Sequence, residues 1–219
     1  MTAAAVEAGV RRVLLISSDK ATAAANAYGV SKAQMEHEGI AFNATAYPRG
    51  TRIACTRWGN VIGSTGSVVH LFRRAVADGR PIPITDPRCT RFWLTLDQAV
   101  GVVREALARM EGGEMFVPVL PAMRVVDLAE AIAPGHPQII VGLRPGGEKL
   151  HELLLTDEEA RRTVAVTPSL YIVAPDFHPW REDAPWTGEP VPPEFTYRSD
   201  LVGWRLSIED MRAMVAEVP

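Results

Sequence analysis

The chain has little cysteine, no excess of basic charge and no long apolar run, and each shortage removes a class of protein. Its 219 residues hold two cysteines, Cys55 and Cys89. Two thiols cannot build a disulfide framework or a four-thiolate zinc site. Lysine plus arginine comes to 23 and aspartate plus glutamate to 26, a net charge of −3. Proteins whose main partner is a phosphate backbone usually carry a basic excess or a basic face, so no nucleic-acid partner is expected. Apolar runs such as Val13-Leu14-Leu15-Ile16 and Leu153-Leu154-Leu155 fall far short of the roughly 20 residues a membrane helix needs. The start, Met1-Thr2-Ala3-Ala4-Ala5-Val6-Glu7, has neither a basic region nor a long apolar one, so a secretory leader is not expected. His37, His70, His136, His151 and His178 show no ligand spacing, and no metal is expected. What remains is 47% apolar and 22% charged. These are globular values, and they predict a cytoplasmic protein with one substantial core or two small ones.

Strand and helix patterns alternate along the chain. Residues 13–16 are continuously apolar, which suits a parallel strand buried on both faces. Residues 26–42 are helical in character, and 52–58 read as a second strand. Val68, Val69, Leu71, Phe72, Ala75 and Val76 give residues 67–77 a helical spacing. A helix over 97–110 closes at Gly112-Gly113, a third strand covers 115–120, and a helix over 125–133 stops at Pro134-Gly135. Residues 139–141 read as a short strand, and 150–155 and 157–163 as helical. Residues 168–193 carry seven prolines and read as an extended surface segment. Ser207, with Asp210 three residues on, caps a last helix. The alternation predicts an α/β architecture with a parallel sheet. No G-x-G-x-x-G follows the first strand, which ends in Ser17-Ser18-Asp19-Lys20.

Tyr28 and Lys32 form Y-x-x-x-K. Residues four apart share a helix face, and an ammonium beside a phenol stabilises the phenolate. Alone the pair is common on helices. Here it follows a strand whose carboxyl end carries Asp19 and Lys20, and such ends line the ligand crevice of α/β proteins. An acid, an amine and a phenol around one cavity can protonate a leaving hydroxyl, take a carbon-acid proton and take an alcohol proton. The competing reading is a surface Asp-Lys pair in a turn. Gly59, Gly63 and Gly66 are spaced G-x-x-x-G-x-x-G, which is not the dinucleotide fingerprint. They precede Ser67 and Val68, whose backbone N–H groups at a helix start suit a phosphate.

Ile16-Ser17-Ser18-Asp19-Lys20-Ala21 and Tyr28-Gly29-Val30-Ser31-Lys32 resemble the extended short-chain dehydrogenase/reductase superfamily. Within it, the chain resembles the UDP-N-acetylglucosamine 4,6-dehydratase group of polysaccharide biosynthesis. The likeness continues in residues 57–68 (RWGNVIGSTGSV), Pro83-Ile84-Thr85-Asp86-Pro87, Thr90-Arg91-Phe92, residues 142–150 (GLRPGGEKL) and Tyr197-Arg198-Ser199-Asp200.

The resemblance implies a partial Rossmann-like fold. Residues 1–80 and 95–120 would be the remnant of the NAD(P)-binding domain. Residues 81–94 and 121–219 would form a nucleotide-sugar-binding region. It implies that Tyr28, helped by Lys32, takes the sugar 4-hydroxyl proton while hydride leaves C4 for NAD(P)+. Lys20 would then take the C5 proton, Asp19 would protonate the departing 6-hydroxyl, and hydride would return at C6. Ser17 would pack beside the nicotinamide, with Gly59, Asn60 and Val61 also on the cofactor, NAD or NADP. Asn60, Ser67, Val68, Thr85, Arg91, Arg144 and Glu148 would hold the UDP-sugar, the two arginines on its diphosphate. A tyrosine at position 28 resembles the branch that inverts C5.

Two departures from the family pattern stand out. The glycine-rich first half of the nucleotide-binding fold has no counterpart here, which predicts an exposed apolar edge on the strand at 13–16. Either another chain supplies that half or it lies outside this sequence, with a homo-oligomer or a partner chain expected, or the protein is a non-catalytic UDP-sugar-binding or assembly module. In addition, Gly147 is one glycine more than the family's R-P-G-E-K, which shifts Glu148.

Overall fold

β-branched runs, helix caps and glycine turns divide the chain into short elements. The computed structural model describes residues 1–180, 182–183 and 185–218. The first elements are α1 (Thr2–Glu7), β1 (Arg12–Ile16), α2 (Ala27–Ala41), α3 (Asn43–Ala46), β2 (Arg52–Thr56) and β3 (Asn60–Val61). Next come α4 (Val68–Ala77), β4 (Ile82–Ile84), β5 (Thr90–Leu94), α5 (Leu96–Arg109), β6 (Met115–Pro118), β7 (Ala122–Arg124), α6 (Val125–Ile132) and β8 (Gln138–Ile140). The last are β9 (Leu153–Leu155), α7 (Asp157–Ala160), β10 (Thr163–Thr167), β11 (Leu170–Val173), β12 (Glu189–Pro190), β13 (Tyr197–Arg198) and α8 (Ile208–Ala216).

The chain divides into two units. The first comprises Met1–Trp58, Val100–Val119 and Leu153–Tyr197; the second comprises Gly59–Ala99, Leu120–Glu152 and Arg198–Pro219. The division differs from the expected grouping. Residues 59–80 fall in the second unit, and 153–197 in the first, because β10 and β11 join its sheet.

The first unit is built on a six-stranded sheet in the order β1-β2-β6-β11-β10-β12. β1, β2 and β6 run parallel, with Arg12 opposite Arg52 and Ile16 opposite Thr56. β11 then pairs antiparallel with β6, and β10 with β11. Ala54, Ala106, Met110, Phe116, Leu170 and Ile172 pack into one buried cluster. Asn43 closes the corner between α3 and β2. Its amide nitrogen donates to the carbonyls of Ile53 (2.8 Å) and Ile40 (3.1 Å), and its amide oxygen accepts from Ile53 N (3.0 Å).

The second unit has its own core, in which Val69, Phe72, Ile82, Ile84, Trp93, Leu128 and Met211 are almost wholly buried. Each such side chain contributes about 1.5–3 kcal/mol on burial. β3 runs parallel to β5, β5 antiparallel to β7, and β4 parallel to β8. α8 starts as expected, with Ser207 and Asp210 forming a capping box.

Three expectations are corrected. β1 is an edge strand among the described residues, as the absent neighbour predicts, but of its residues only Leu15 is buried, so its two faces are not both covered. Residues 153–155 are strand, not helix, because they pair with β13; the next helix starts only after Thr156, the extended N-cap of α7, which forms a capping box with Glu159. Within the proline-rich stretch, Leu170–Val173 is a largely buried strand between β6 and β10, because Pro168 lies in the β10–β11 turn, outside the ladder.

Asn43→Ala strips Ile53 N–H of its partner and is expected to cost about 2–3 kcal/mol. The check is a lower urea midpoint at unchanged m-value.

Candidate active site

In the first unit the parallel ladder continues past the end of β1. Ser17 N donates to Thr56 O (2.7 Å) and Asp19 N to Trp58 O (2.8 Å). Strand alternation therefore persists, with Ser17 and Asp19 buried and Ser18 and Lys20 partly exposed. The Asp19 carboxylate has no solvent exposure. It accepts Ser18 Oγ (2.8 Å) and Lys20 Nζ (2.9 Å), which is the pairing a buried charge requires. Ser17 Oγ is buried with no hydrogen-bond partner among the described residues. Ala23 follows at φ +48°, a conformation that costs a non-glycine residue roughly 1–2 kcal/mol.

Asn26 begins α2 by accepting Gly29 N at 2.9 Å. Tyr28 is therefore in the first turn, about half exposed. Lys32 Nζ lies 5.8 Å from the Tyr28 ring centroid and donates to Ile16 O at 2.9 Å. A Cβ at Gly29 would stand 2.3 Å from the carbonyl oxygen of Lys20, so helix and loop meet backbone to backbone. Ser17, Asp19, Lys20, Tyr28 and Lys32 thus gather where β1 ends and α2 begins.

Arg57 follows β2 as a buried cation that the sequence reading did not single out. Its Nε and one Nη donate to the two oxygens of Glu36 (2.9 and 2.7 Å). The other Nη reaches Glu159 (2.7 Å) and Leu154 O (3.1 Å). Burial alone would lower its pKa, but the bonds and charges of Glu36 and Glu159 raise it, so the guanidinium stays charged. The available signal was Glu36 itself, an acid four residues beyond Lys32 on the same helix.

In the second unit, Gly59 packs where a Cβ would come 2.5 Å from Phe92 Cβ, and Asn60 and Val61 form β3 opposite Trp93 and Leu94. Gly63 and Gly66 have φ of +73° and +72°, the left-handed region open to glycine. Ser67 is the N-cap of α4, yet its side chain caps no N–H, and its Oγ is buried without a partner among the described residues. Val68 opens the helix.

Thr85, Arg91 and Arg144 all converge on Glu148. Thr85 Oγ1 lies at 3.3 Å and buried Arg91 at 3.1 Å. Arg144 contributes two guanidinium bonds (3.2 and 3.0 Å) and its own N–H (3.1 Å). Gly146 and Gly147 both take positive φ, +97° and +91°, and this turn carries Glu148 back onto Arg144. In this arrangement both arginines are ion-paired to a carboxylate, the ordinary alternative to an open phosphate fork. Burial pushes the Glu148 carboxyl up, but the Arg144 hydrogen bonds and the charges of Arg144 and Arg91 outweigh it and hold it below its usual value. Among the described residues, no group of three or more His, Cys, Asp or Glu could hold a metal, and no helix is long and apolar enough to cross a membrane.

A parallel sheet with Asp-Lys at one strand end and Tyr-x-x-x-Lys on the next helix defines a Rossmann-like α/β protein of the short-chain dehydrogenase/reductase type. The model of the polysaccharide biosynthesis protein family matches residues 1–174, and the chain belongs to that family. It is 38% identical over 204 residues to the UDP-N-acetylglucosamine 4,6-dehydratase (inverting) of Campylobacter jejuni, covering 90% of this chain and 61% of that protein. The X-ray structure of Pen from Bacillus thuringiensis matches with a TM-score of 0.85 at 28% identity, over 98% of this chain and 64% of that one. The dTDP-glucose 4,6-dehydratase of Streptomyces venezuelae, solved with NAD and TYD bound, shares the fold at a TM-score of 0.52 and 23% identity, over 60% of this chain and 46% of that one. The chain thus spans about three fifths of the length of the curated relative.

Glu148→Gln is expected to destabilise the protein by about 1–3 kcal/mol at pH 7, because Arg91 is left with a weaker partner. The native carboxyl has a lowered pKa, so its contribution is complete above the unfolded value of about 4.3 and is lost as pH falls through the folded value. Urea unfolding from pH 7 to 3 should show the gap between wild type and variant closing at the acid end.

Proposed function

We propose that the protein is a nucleotide-sugar 4,6-dehydratase acting on a UDP-N-acetylglucosamine-like substrate in the cytoplasm, for surface polysaccharide or glycan biosynthesis. The observation that carries the reading is the contact of the Asp19–Lys20 loop with the Tyr28 helix at Gly29. A phenol and lysine alone serve alcohol oxidation. Removing water also needs a base for carbon and an acid for the leaving oxygen, and the adjoining pair supplies both.

Tyr28 takes the proton from the sugar 4-hydroxyl, and Lys32 favours the phenolate by its charge. Lys20 Nζ donates to Asp19 at 2.9 Å, so in this reading a proton passes along that bond from the amine to the carboxyl before the elimination step. The amine removes the C5 proton, which a neighbouring 4-keto group acidifies. The acid protonates the 6-hydroxyl, which departs as water. NAD(P), when bound, supplies a temporary hydride sink between C4 and C6. The groups present suit its nicotinamide end: Ser17 Oγ is buried and lacks a partner among the described residues, and Lys32 Nζ stands on the adjacent Ile16 carbonyl. Gly59, Asn60 and Val61 complete the proposed cofactor contacts. Asn60, Ser67, Val68, Thr85, Arg91, Arg144 and Glu148 are the proposed nucleotide-sugar contacts. Inversion at C5 and assembly with a second copy or a partner chain belong to the same reading.

The test is incubation of the purified protein with NAD+ and UDP-N-acetylglucosamine in deuterated water. The expected product has lost one water, carries a 4-keto group and holds deuterium at C5. Tyr28→Phe should lower turnover about 10²–10⁴-fold while leaving calorimetric UDP-sugar binding intact. An epimerised sugar with no loss of water would remove the roles of Asp19 and Lys20. UDP-sugar binding with no NAD+ heat would favour the non-catalytic binding module.

A further inference from the structure

We infer that Arg57 is the positioning residue of this site, fixing the rotation of α2 against the Ser17–Lys20 loop through its fork to Glu36. The inference rests on the proposed reading of Tyr28 and Asp19–Lys20 as one site. Arg57 is buried, and its side chain reaches both carboxylate oxygens of Glu36, both of Glu159 and Leu154 O, all inside the first unit. Its backbone is equally fixed, with its N–H donating to Phe116 O at 3.0 Å. The residues on either side carry the other half of the site. Thr56 O accepts Ser17 N, and Trp58 O accepts Asp19 N. One tripeptide, Thr56-Arg57-Trp58, therefore holds the acid–base loop by its backbone and the phenol-bearing helix by its side chain.

The geometry transmits rotation. Glu36 lies eight residues beyond Tyr28, about 12 Å along the axis. A helix turns as a rigid body, so any rotation that takes Glu36 off the fork swings Tyr28 by the same angle. A planar guanidinium bonded to both carboxylate oxygens resists that rotation, whereas an ammonium bonded to one does not. Charge neutralisation does not require the fork, since lysine would supply it equally. A buried ion pair is also weak grounds for stability by itself. What arginine adds here is angle.

Arg57→Lys separates the two roles, because it keeps the charge and loses the fork. Two readouts are used. By NMR, the nuclear Overhauser contact between Gly29 Hα and Lys20 should weaken, and the Ile16 carbonyl carbon that accepts Lys32 should shift. With UDP-N-acetylglucosamine and NAD+, kcat should fall about 10- to 100-fold, the cost of a displacement near 1 Å. KM should stay within about twofold and the melting temperature within about 5 °C. Should Arg57→Lys fail to fold, Glu36→Gln carries the same readouts and the same decision. Unchanged NMR contacts in the folded variant overturn the positioning role, as does a kcat loss matched by an equal rise in KM. If wild type shows no turnover, the dehydratase reading fails, and the NMR contacts alone decide whether Arg57 sets the helix.

Discussion

The site depends on a backbone ladder that runs beyond its strand. β1 ends at Ile16, but the bonds from Ser17 N to Thr56 O and from Asp19 N to Trp58 O keep the next residues in strand register. Because side chains alternate in that register, Ser17 and Asp19 turn inward and Ser18 and Lys20 outward. A carboxylate buried in this way needs compensation. Two compensating groups are its sequence neighbours, the Ser18 hydroxyl and the Lys20 ammonium reaching back. The Asp-Lys dipeptide is thus an extended inward acid with its own cation folded over it, which a turn on the surface would not produce.

Against this ladder lies a helix that binds through an unusual stripe. α2 meets the sheet at Gly29, Lys32, Glu36 and Gly39, spaced three, four and three apart as one helix face requires. None of the four is an apolar side chain of the ordinary core type. Gly29 meets the Lys20 carbonyl, Lys32 bonds Ile16 O, Glu36 takes the Arg57 fork, and Gly39 leaves room for Leu15. Missing Cβ atoms permit backbone approach, and charged bonds fix direction where apolar packing would tolerate sliding. The helix is held closely at both ends of this stripe, and Tyr28 rides beside its first contact point.

That stripe also explains what could and could not be read from sequence. The extent of α2, its neighbour β1 and the Tyr28–Lys32 pair were legible because helix spacing and an apolar run are local signals. The docking face was not, since periodicity looks for Ala27, Ala33, Met35 and Ile40 and passes over glycines and a glutamate. Arg57 lay in a quoted motif, but its partners Glu36 and Glu159 are 21 and 102 residues away, and nothing local links them. The β10–β11 hairpin was hidden for a different reason. Prolines around it suggested an extended surface, while Val164, Val166 and the run Leu170-Tyr171-Ile172-Val173 carried the strand pattern. Residues 153–155 were read as helix because three leucines fit either period, and pairing with β13, far along the chain, decides between them.

In the second unit a two-glycine turn sets how a pair of charges is shared. With Gly146 and Gly147 both left-handed, the turn brings Glu148 under Arg144 and within reach of Arg91. The two guanidinium groups differ in what that costs them. Arg144 is largely exposed and its bonds to Glu148 exchange readily with water, so its contribution is screened. Arg91 is buried, with further bonds to the Thr90 and Leu150 carbonyls and with Glu152 nearby, and it cannot leave the carboxylate without exposing a desolvated charge. Glu148 therefore has one exposed partner, Arg144, and one buried partner, Arg91, and it anchors the buried arginine in a paired, oriented state.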